Sequence, residues 1–307
     1  MKHELQIAMA SDYTMFIEEL EKRLNWIKQR GYSIEVKIIK DHNINFINIT
    51  AQGKSNDSIF RDQDIISVLR HQVSEIIAEY IVAKCEPQCV FKEIQRKYKY
   101  LSAEERKAVH DKATRFLNKC NNNESLNLLM NFGRKNRIAR KIIKYLETNN
   151  RLLIDGFIKF CLSDYLNEIR FAVELAVEEY QDEKEYNEFI KLLRYFVDSQ
   201  TPKVLEVNLM MGDNGVFHLW DKNGHKIEEK YMNYYLEDMV ANQINLDDVL
   251  ISILITIAPR KIILHNVSSD KSSKPVEMIR NVFQGKIENC SGCTRCYPAR
   301  SEPKSYR

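Results

Sequence analysis

The period of the apolar residues changes along this chain, and that change constrains the fold more than any single motif does. From Asp62 to about Val197 large apolar residues recur every three or four positions, the spacing of one helix face. After Thr201-Pro202 they recur every second position, the spacing of one strand face. Before Asp62 the two spacings alternate.

At the N-terminus Leu5 to Met9 is a short apolar run, and Phe16, Leu20, Leu24 and Ile27 line one face of a helix that Gly31 ends. Ile34, Val36 and Ile38, then Ile44, Phe46 and Ile49, predict a hairpin around Asp41-His42-Asn43. Asp62 opens a helix striped by Ile65, Leu69, Val73 and Tyr80. Pro87 predicts a break. Helices are expected over Val90–Tyr100 and over Ser102–Cys120, the second started by Ser102 and Glu105, which can satisfy each other's free backbone N–H groups. Asn121-Asn122-Asn123 reads as a loop before helices at Glu124–Phe132 and Lys135–Leu146. A further helix runs from Leu152 past Ser163, and Asp182 with Glu185 predicts a fresh helix start.

In the C-terminal third, Leu205, Val207 and Leu209 alternate with Glu206 and Asn208, and turns at Gly212–Gly215 and Asp221–Gly224 predict a three-stranded meander. Met232–Gln243 reads as a helix. Periodicity alone leaves Val249–Ala258 as helix or buried strand. Ile262–Leu264 and Lys286–Asn289 read as strands around a helix from Pro275 to Phe283. The expected fold is α+β and predominantly helical: a central helical bundle flanked by a small N-terminal mixed α/β segment and a C-terminal mixed sheet with a β-meander. The expected segments are 1–84, 85–200, 201–296 and a polar tail, 297–307.

Composition narrows the class. With 307 residues, 44% hydrophobic, nine Gly and six Pro, the chain suits a soluble globular protein and excludes collagenous, mucin-like and largely disordered readings. Met1-Lys2-His3-Glu4-Leu5-Gln6 has no apolar core of a secretory signal, so a cytoplasmic protein is expected. Val249–Ala258 is about half the roughly 20 residues that span a bilayer, so no membrane span is expected. Seven cysteines, an odd number, read in that compartment as reduced thiols. The near balance of 46 Lys+Arg and 43 Asp+Glu conceals a segregation. Lys84–Arg151 holds 17 basic and 7 acidic residues; Asp164–Asp198 holds 4 and 10. Such faces either neutralise one another when helices pack or leave a basic docking surface.

Three stretches resemble a known family: Leu153-Ile154-Asp155-Gly156-Phe157-Ile158-Lys159-Phe160, the run from Glu185 to Asp198, and the run from Asp247 to Lys261. They are similar to the YtxC-like family, associated with sporulation in endospore-forming Firmicutes. The resemblance implies a sporulation-associated protein acting with an unknown protein partner of that programme. It implies no catalytic residues.

The sharpest local signal is Cys290-Ser291-Gly292-Cys293-Thr294-Arg295-Cys296. Three thiols spaced three apart can converge on one soft metal ion, and Gly292 lets the loop wrap closely. His265 is the best fourth ligand: if Ile262–Leu264 and Lys286–Asn289 are parallel neighbours, His265 and Cys290 leave the sheet at the same end. Cys161, His218 and His225 are weaker substitutes. Zinc ranks above an iron–sulfur cluster, because the fourth cysteine of a ferredoxin run is replaced by Arg300. A redox dithiol and reduced, metal-free cysteines are the competing readings. Gly53-Lys54-Ser55 fails as a phosphate loop, since Asn48 occupies the position of its first glycine. Nucleic-acid or polyanion binding is the alternative function, through Arg134, Lys135, Arg137, Arg140, Lys141 and Lys144 on the basic helices. No nucleophile, base and orienting group come together in any motif, so a non-enzymatic role is expected.

Overall fold

The computed structural model describes residues 2–10, 12–53, 62–119, 124–212, 217–227, 246–266 and 274–296. The helix expected over 232–243, the loop at 121–123, most of the turn at 212–215, Lys54 and Ser55, Cys120 and the tail lie outside them. The chain forms two compact units, Met1–Gln181 and Asp182–Arg307.

In the first unit, β1 (Lys2–Met9), β2 (Tyr32–Asp41), β3 (Ile44–Gly53) and β4 (Arg151–Leu153) form one sheet in the order β2-β3-β1-β4. β1 and β3 are antiparallel with Leu5 opposite Ile49 and Ile7 opposite Ile47, so their alternate side chains share one buried face. On that face lies α1 (Thr14–Lys28), whose Phe16, Leu20, Leu24 and Ile27 are fully buried as their spacing requires. α2 (Asp62–Tyr80) adds Ile65, Leu69, Val73 and Tyr80 to the same core, and Arg23 of α1 pairs with Glu79 of α2 at 2.7 Å.

Helices α3 (Glu86–Lys97), α4 (Ala103–Asn118), α5 (Glu124–Thr148), α6 (Ile154–Cys161) and α7 (Ser163–Ser199) follow. One continuous core runs from Leu5 through Ile94, Val109 and Ile142 to Val177. Pro87 does not break the chain direction with a loop. A π turn over Ile81–Cys85 carries α2 into α3, and Pro87 sits in the first turn of α3, where its missing N–H costs little. Ser102 and Glu105 form the expected capping box. Two local expectations differ. Arg151–Leu153 is a strand, taken from the helical pattern by pairing parallel to β1. Asp182 and Glu185 start no helix, because α7 runs through them; the boundary between the two units falls there instead.

Glu86 and Arg134 form a buried ion pair at 3.4 Å, and the Tyr165 hydroxyl donates to Glu86 Oε2 at 2.9 Å. Arg134 also donates to Asn131 Oδ1. Arg134 is only 5% exposed, which corrects its expected place on a polyanion surface: it pairs with a buried carboxylate.

The second unit has β5 (Glu206–Met211), β6 (Phe217–Asp221), α8 (Leu246–Ile257), β7 (Lys261–His265), α9 (Lys274–Val282) and β8 (Ile287–Asn289). Its sheet order is β6-β5-β7-β8, with β5, β7 and β8 parallel and β6 antiparallel to β5. The third strand of the expected meander is reduced, among the described residues, to one bridge between Trp220 and Lys226; β7 takes the place beside β5. The ambiguous apolar run is the helix α8. There Thr256 donates its hydroxyl to the carbonyl of Ser252 at 2.7 Å, the i to i−4 bond by which a helix satisfies a semi-buried hydroxyl. Among the described residues no helix is long and apolar enough to cross a membrane.

Burial, only partly opposed by Arg134 and Tyr165, pushes the Glu86 carboxyl above its ordinary range. The folded protein therefore holds that proton more tightly than the unfolded chain. Glu86 contributes stability that is present below the ordinary value of 4.5 and is lost as pH rises through the folded value. Replacing Arg134 leaves burial unopposed by a cation. Arg134→Met is expected to cost about 3–5 kcal/mol at pH 7, with a smaller cost at pH 5, by urea unfolding followed by circular dichroism. A cost independent of pH would mean that the carboxylate is not the group left uncompensated.

Candidate metal centre

β7 and β8 are joined in register, with Leu264 opposite Asn289. The next residue on each strand is a candidate ligand, His265 on one and Cys290 on the other. The pairing is extended one step further by the Cys290 N–H, which donates to the Leu264 carbonyl at 2.9 Å. Gly292 follows with φ +124°, a backbone region that a side chain would strain, and lets the loop fold back over the sheet. A turn closed by the Cys296 N–H on the Cys293 carbonyl, at 2.9 Å, returns the last two cysteines to the same point.

The side chains converge. His265 Nδ1 is 3.4 Å from the Sγ of Cys293 and 3.4 Å from the Sγ of Cys296. The sulfurs of Cys293 and Cys296 are 3.6 Å apart, and those of Cys296 and Cys290 are 3.9 Å apart. All four ligand atoms lie within 4.8 Å of one another, and the group could hold a metal ion. A tetrahedron with metal–sulfur bonds of about 2.3 Å and a metal–nitrogen bond of about 2.0 Å has edges of about 3.5–3.8 Å, close to these separations.

The imidazole is oriented from behind. Its Nε2 lies 2.9 Å from Asn208 Oδ1 on β5, and Asn208 uses its amide nitrogen to donate to Glu206 Oε1 at 3.2 Å. With the amide turned that way, Nε2 must carry the proton and Nδ1 faces the sulfurs with its lone pair. Burial, and then the cationic Arg295, hold the His265 pKa below its ordinary value, which favours the neutral, ligating form. Among the thiols, the Gly292 N–H favours the Cys290 thiolate, but burial and the neighbouring thiols outweigh it and raise that group. Burial works against the Cys293 thiolate and is outweighed by the N–H groups of Arg295 and Cys296, which lower it.

An aromatic and a guanidinium close the site. The Trp220 ring lies 5.1 Å from the imidazole, and the Arg295 guanidinium lies 4.5 Å above the indole. Gly224, at φ +85°, leaves room for that guanidinium, since a Cβ there would come within 3.1 Å of it. Asn208, Glu206, Trp220 and Arg295 were not expected from sequence as site residues. Asn208 sits where alternation places an outward side chain, yet it is buried beneath His265 and Trp220. A mid-strand asparagine, poorly suited to a strand, was the available signal.

The weaker substitutes stay outside the group. Cys161 is exposed at the end of α6, in the first unit, and His225 pairs with Asp221 at 3.4 Å. His218 lies on β6 and is not one of the four. Burial pushes the Cys85 thiol up to about 12 and raises Cys89, as suits inert core thiols.

The basic helices meet the acidic part of α7. Arg137 pairs with Glu168, Lys141 with Asp164 at 2.8 Å, Lys97 with Glu174, and Lys112 with Glu179 at 2.9 Å. Lys135 is half-buried, and Arg140 and Lys144 are exposed. Four of the basic side chains are thus paired with the acidic residues of α7.

The sequence model of the YtxC-like family matches residues 71–288, more than two thirds of the chain; the stretch includes Asn208 and His265 and stops before Cys290. The chain is similar to the uncharacterized protein YtxC of Bacillus subtilis (strain 168), at 32% identity over 136 residues. That stretch covers 44% of this chain and 47% of the relative, so the match spans about half the relative's length. No solved structure matches. The family match, over both the helices of the first unit and the sheet of the second, places the chain in the YtxC-like family.

Proposed function

We propose that this is a non-catalytic, sporulation-associated protein whose second unit is built around a structural zinc ion held by His265, Cys290, Cys293 and Cys296. The observation that carries the reading is the convergence of three sulfurs and one imidazole nitrogen within 4.8 Å. Three sulfurs with one nitrogen suit zinc, whereas a ferredoxin-type cluster takes four thiolates. Four protein ligands fill a tetrahedral shell and leave no position for water or substrate, which is the coordination of a structural ion. Free thiolates of this kind require a reducing compartment, which supports the cytoplasm. The sporulation role rests on the family resemblance, and the partner would be a protein of that programme.

Protein purified without chelator is expected to carry about one zinc ion per chain by elemental analysis, with little iron. Chelation should lower the unfolding temperature, because a preformed ligand cage couples metal binding to folding. A metal-free protein with chelator-independent unfolding would overturn the reading. Asn208→Ala should weaken zinc binding by about 10–100-fold in a chelator competition, since the imidazole loses the partner that fixes its tautomer. Unchanged affinity would show that the Asn208 contact does not orient the ligand.

A further inference from the structure

We infer that the same cluster is a peroxide-responsive switch, in which Cys293 and Cys296 close into a disulfide and expel the metal; the inference rests on the zinc reading above. Geometry singles out this pair. Their sulfurs are 3.6 Å apart, closer than the 3.9 Å between Cys290 and Cys296, and a disulfide of about 2.0 Å needs only a further approach of about 1.6 Å. The backbone is already folded for that closure by the Cys296 N–H on the Cys293 carbonyl. Cys290 is held differently: its N–H is tied to the Leu264 carbonyl and its sulfur accepts from the Gly292 N–H at 3.4 Å. Access differs as well. Cys293 is half-buried and reachable from solvent, while Cys296 is buried behind it. One thiolate is placed to meet an oxidant and the other to resolve it.

The chemistry balances with one hydrogen peroxide. The Cys293 thiolate attacks a peroxide oxygen, the O–O bond breaks, and the departing hydroxide takes a proton from solvent to become water. The Cys296 thiolate then attacks the sulfur of the resulting sulfenic acid; the S–O bond breaks and a second hydroxide leaves as water. Two thiolates lose two electrons, and one peroxide becomes two waters. Zinc is left with Cys290 and His265, half of a tetrahedral shell. Arg295 lies between the two cysteines in sequence and rests on Trp220, so closing the turn disturbs the indole and provides a fluorescent report.

The test uses the full chain, first assayed for zinc under reducing conditions. Metal-free reduced protein would sink the zinc reading and this inference with it. If zinc is present, a modest excess of hydrogen peroxide should release it stoichiometrically to a chromophoric chelator, with a Cys293–Cys296 disulfide in the peptide map. Trp220 emission, read in a Trp26→Phe background, should change in step, and a dithiol reductant with added zinc should restore the starting state. Retention of zinc under peroxide, or release with another cysteine pair joined, would overturn the switch and leave the zinc reading standing. Cys290→Ser keeps the responsive pair and is expected still to form the disulfide; failure to do so would also count against the assignment.

Discussion

The parallel pairing of β7 with β8 is the constraint on which the candidate site depends. Parallel strands need a crossover, and α9 supplies it, so two residues 25 positions apart emerge side by side from the same end of the sheet. His265 and Cys290 are placed by backbone hydrogen bonds rather than by attraction to an ion. The remaining two cysteines reach the site through a local turn. The second parallel pairing, of β5 with β7, brings Asn208 beneath the imidazole and chooses which nitrogen faces the sulfurs.

Electrostatics organise the first unit in a comparable way, through pairing across helices. Side chains of α3, α4 and α5 supply the cations, and the part of α7 between Asp164 and Glu179 supplies the anions. The exposed pairs among them contribute little each, about 0–1 kcal/mol. Glu86 and Arg134 differ because both are buried. Such a pair adds little net stability compared with apolar residues, yet losing one partner is costly, and it fixes how α3, α5 and α7 meet.

Much of this was legible in sequence where one physical effect dominates. Amphipathic stripes located α1 and α2; the Ser102–Glu105 box located the start of α4; and alternating residues located the β2–β3 hairpin. The convergence of His265 with the cysteine trio followed from assuming parallel neighbours. What was not legible depended on distant partners. Arg151–Leu153 has no strand pattern of its own and is a strand because β1 offers it an edge. The π turn at Ile81–Cys85, closed by the Glu86 N–H on the Ile81 carbonyl, has no periodic signature of its own. Arg134 looks like its basic neighbours in sequence, and only the position of Glu86 removes it from the surface. Asn208 follows the alternation of β5 but lies against His265 and Trp220 of the neighbouring strands, which the alternation cannot anticipate.

The short strand β4 has a consequence for how the protein is made. β1 comes before α1–α5 in the chain, yet the strand that covers its second edge, residues 151–153, comes after them. Until then β1 carries an unpaired row of N–H and carbonyl groups beside Leu5 and Ile7, the kind of edge on which extended chains add. Pairing over so great a sequence separation is slow, because loop closure must precede any gain from the contact. Completion of the first sheet is therefore a late event, and the second edge of β1 stays open while α1–α5 assemble.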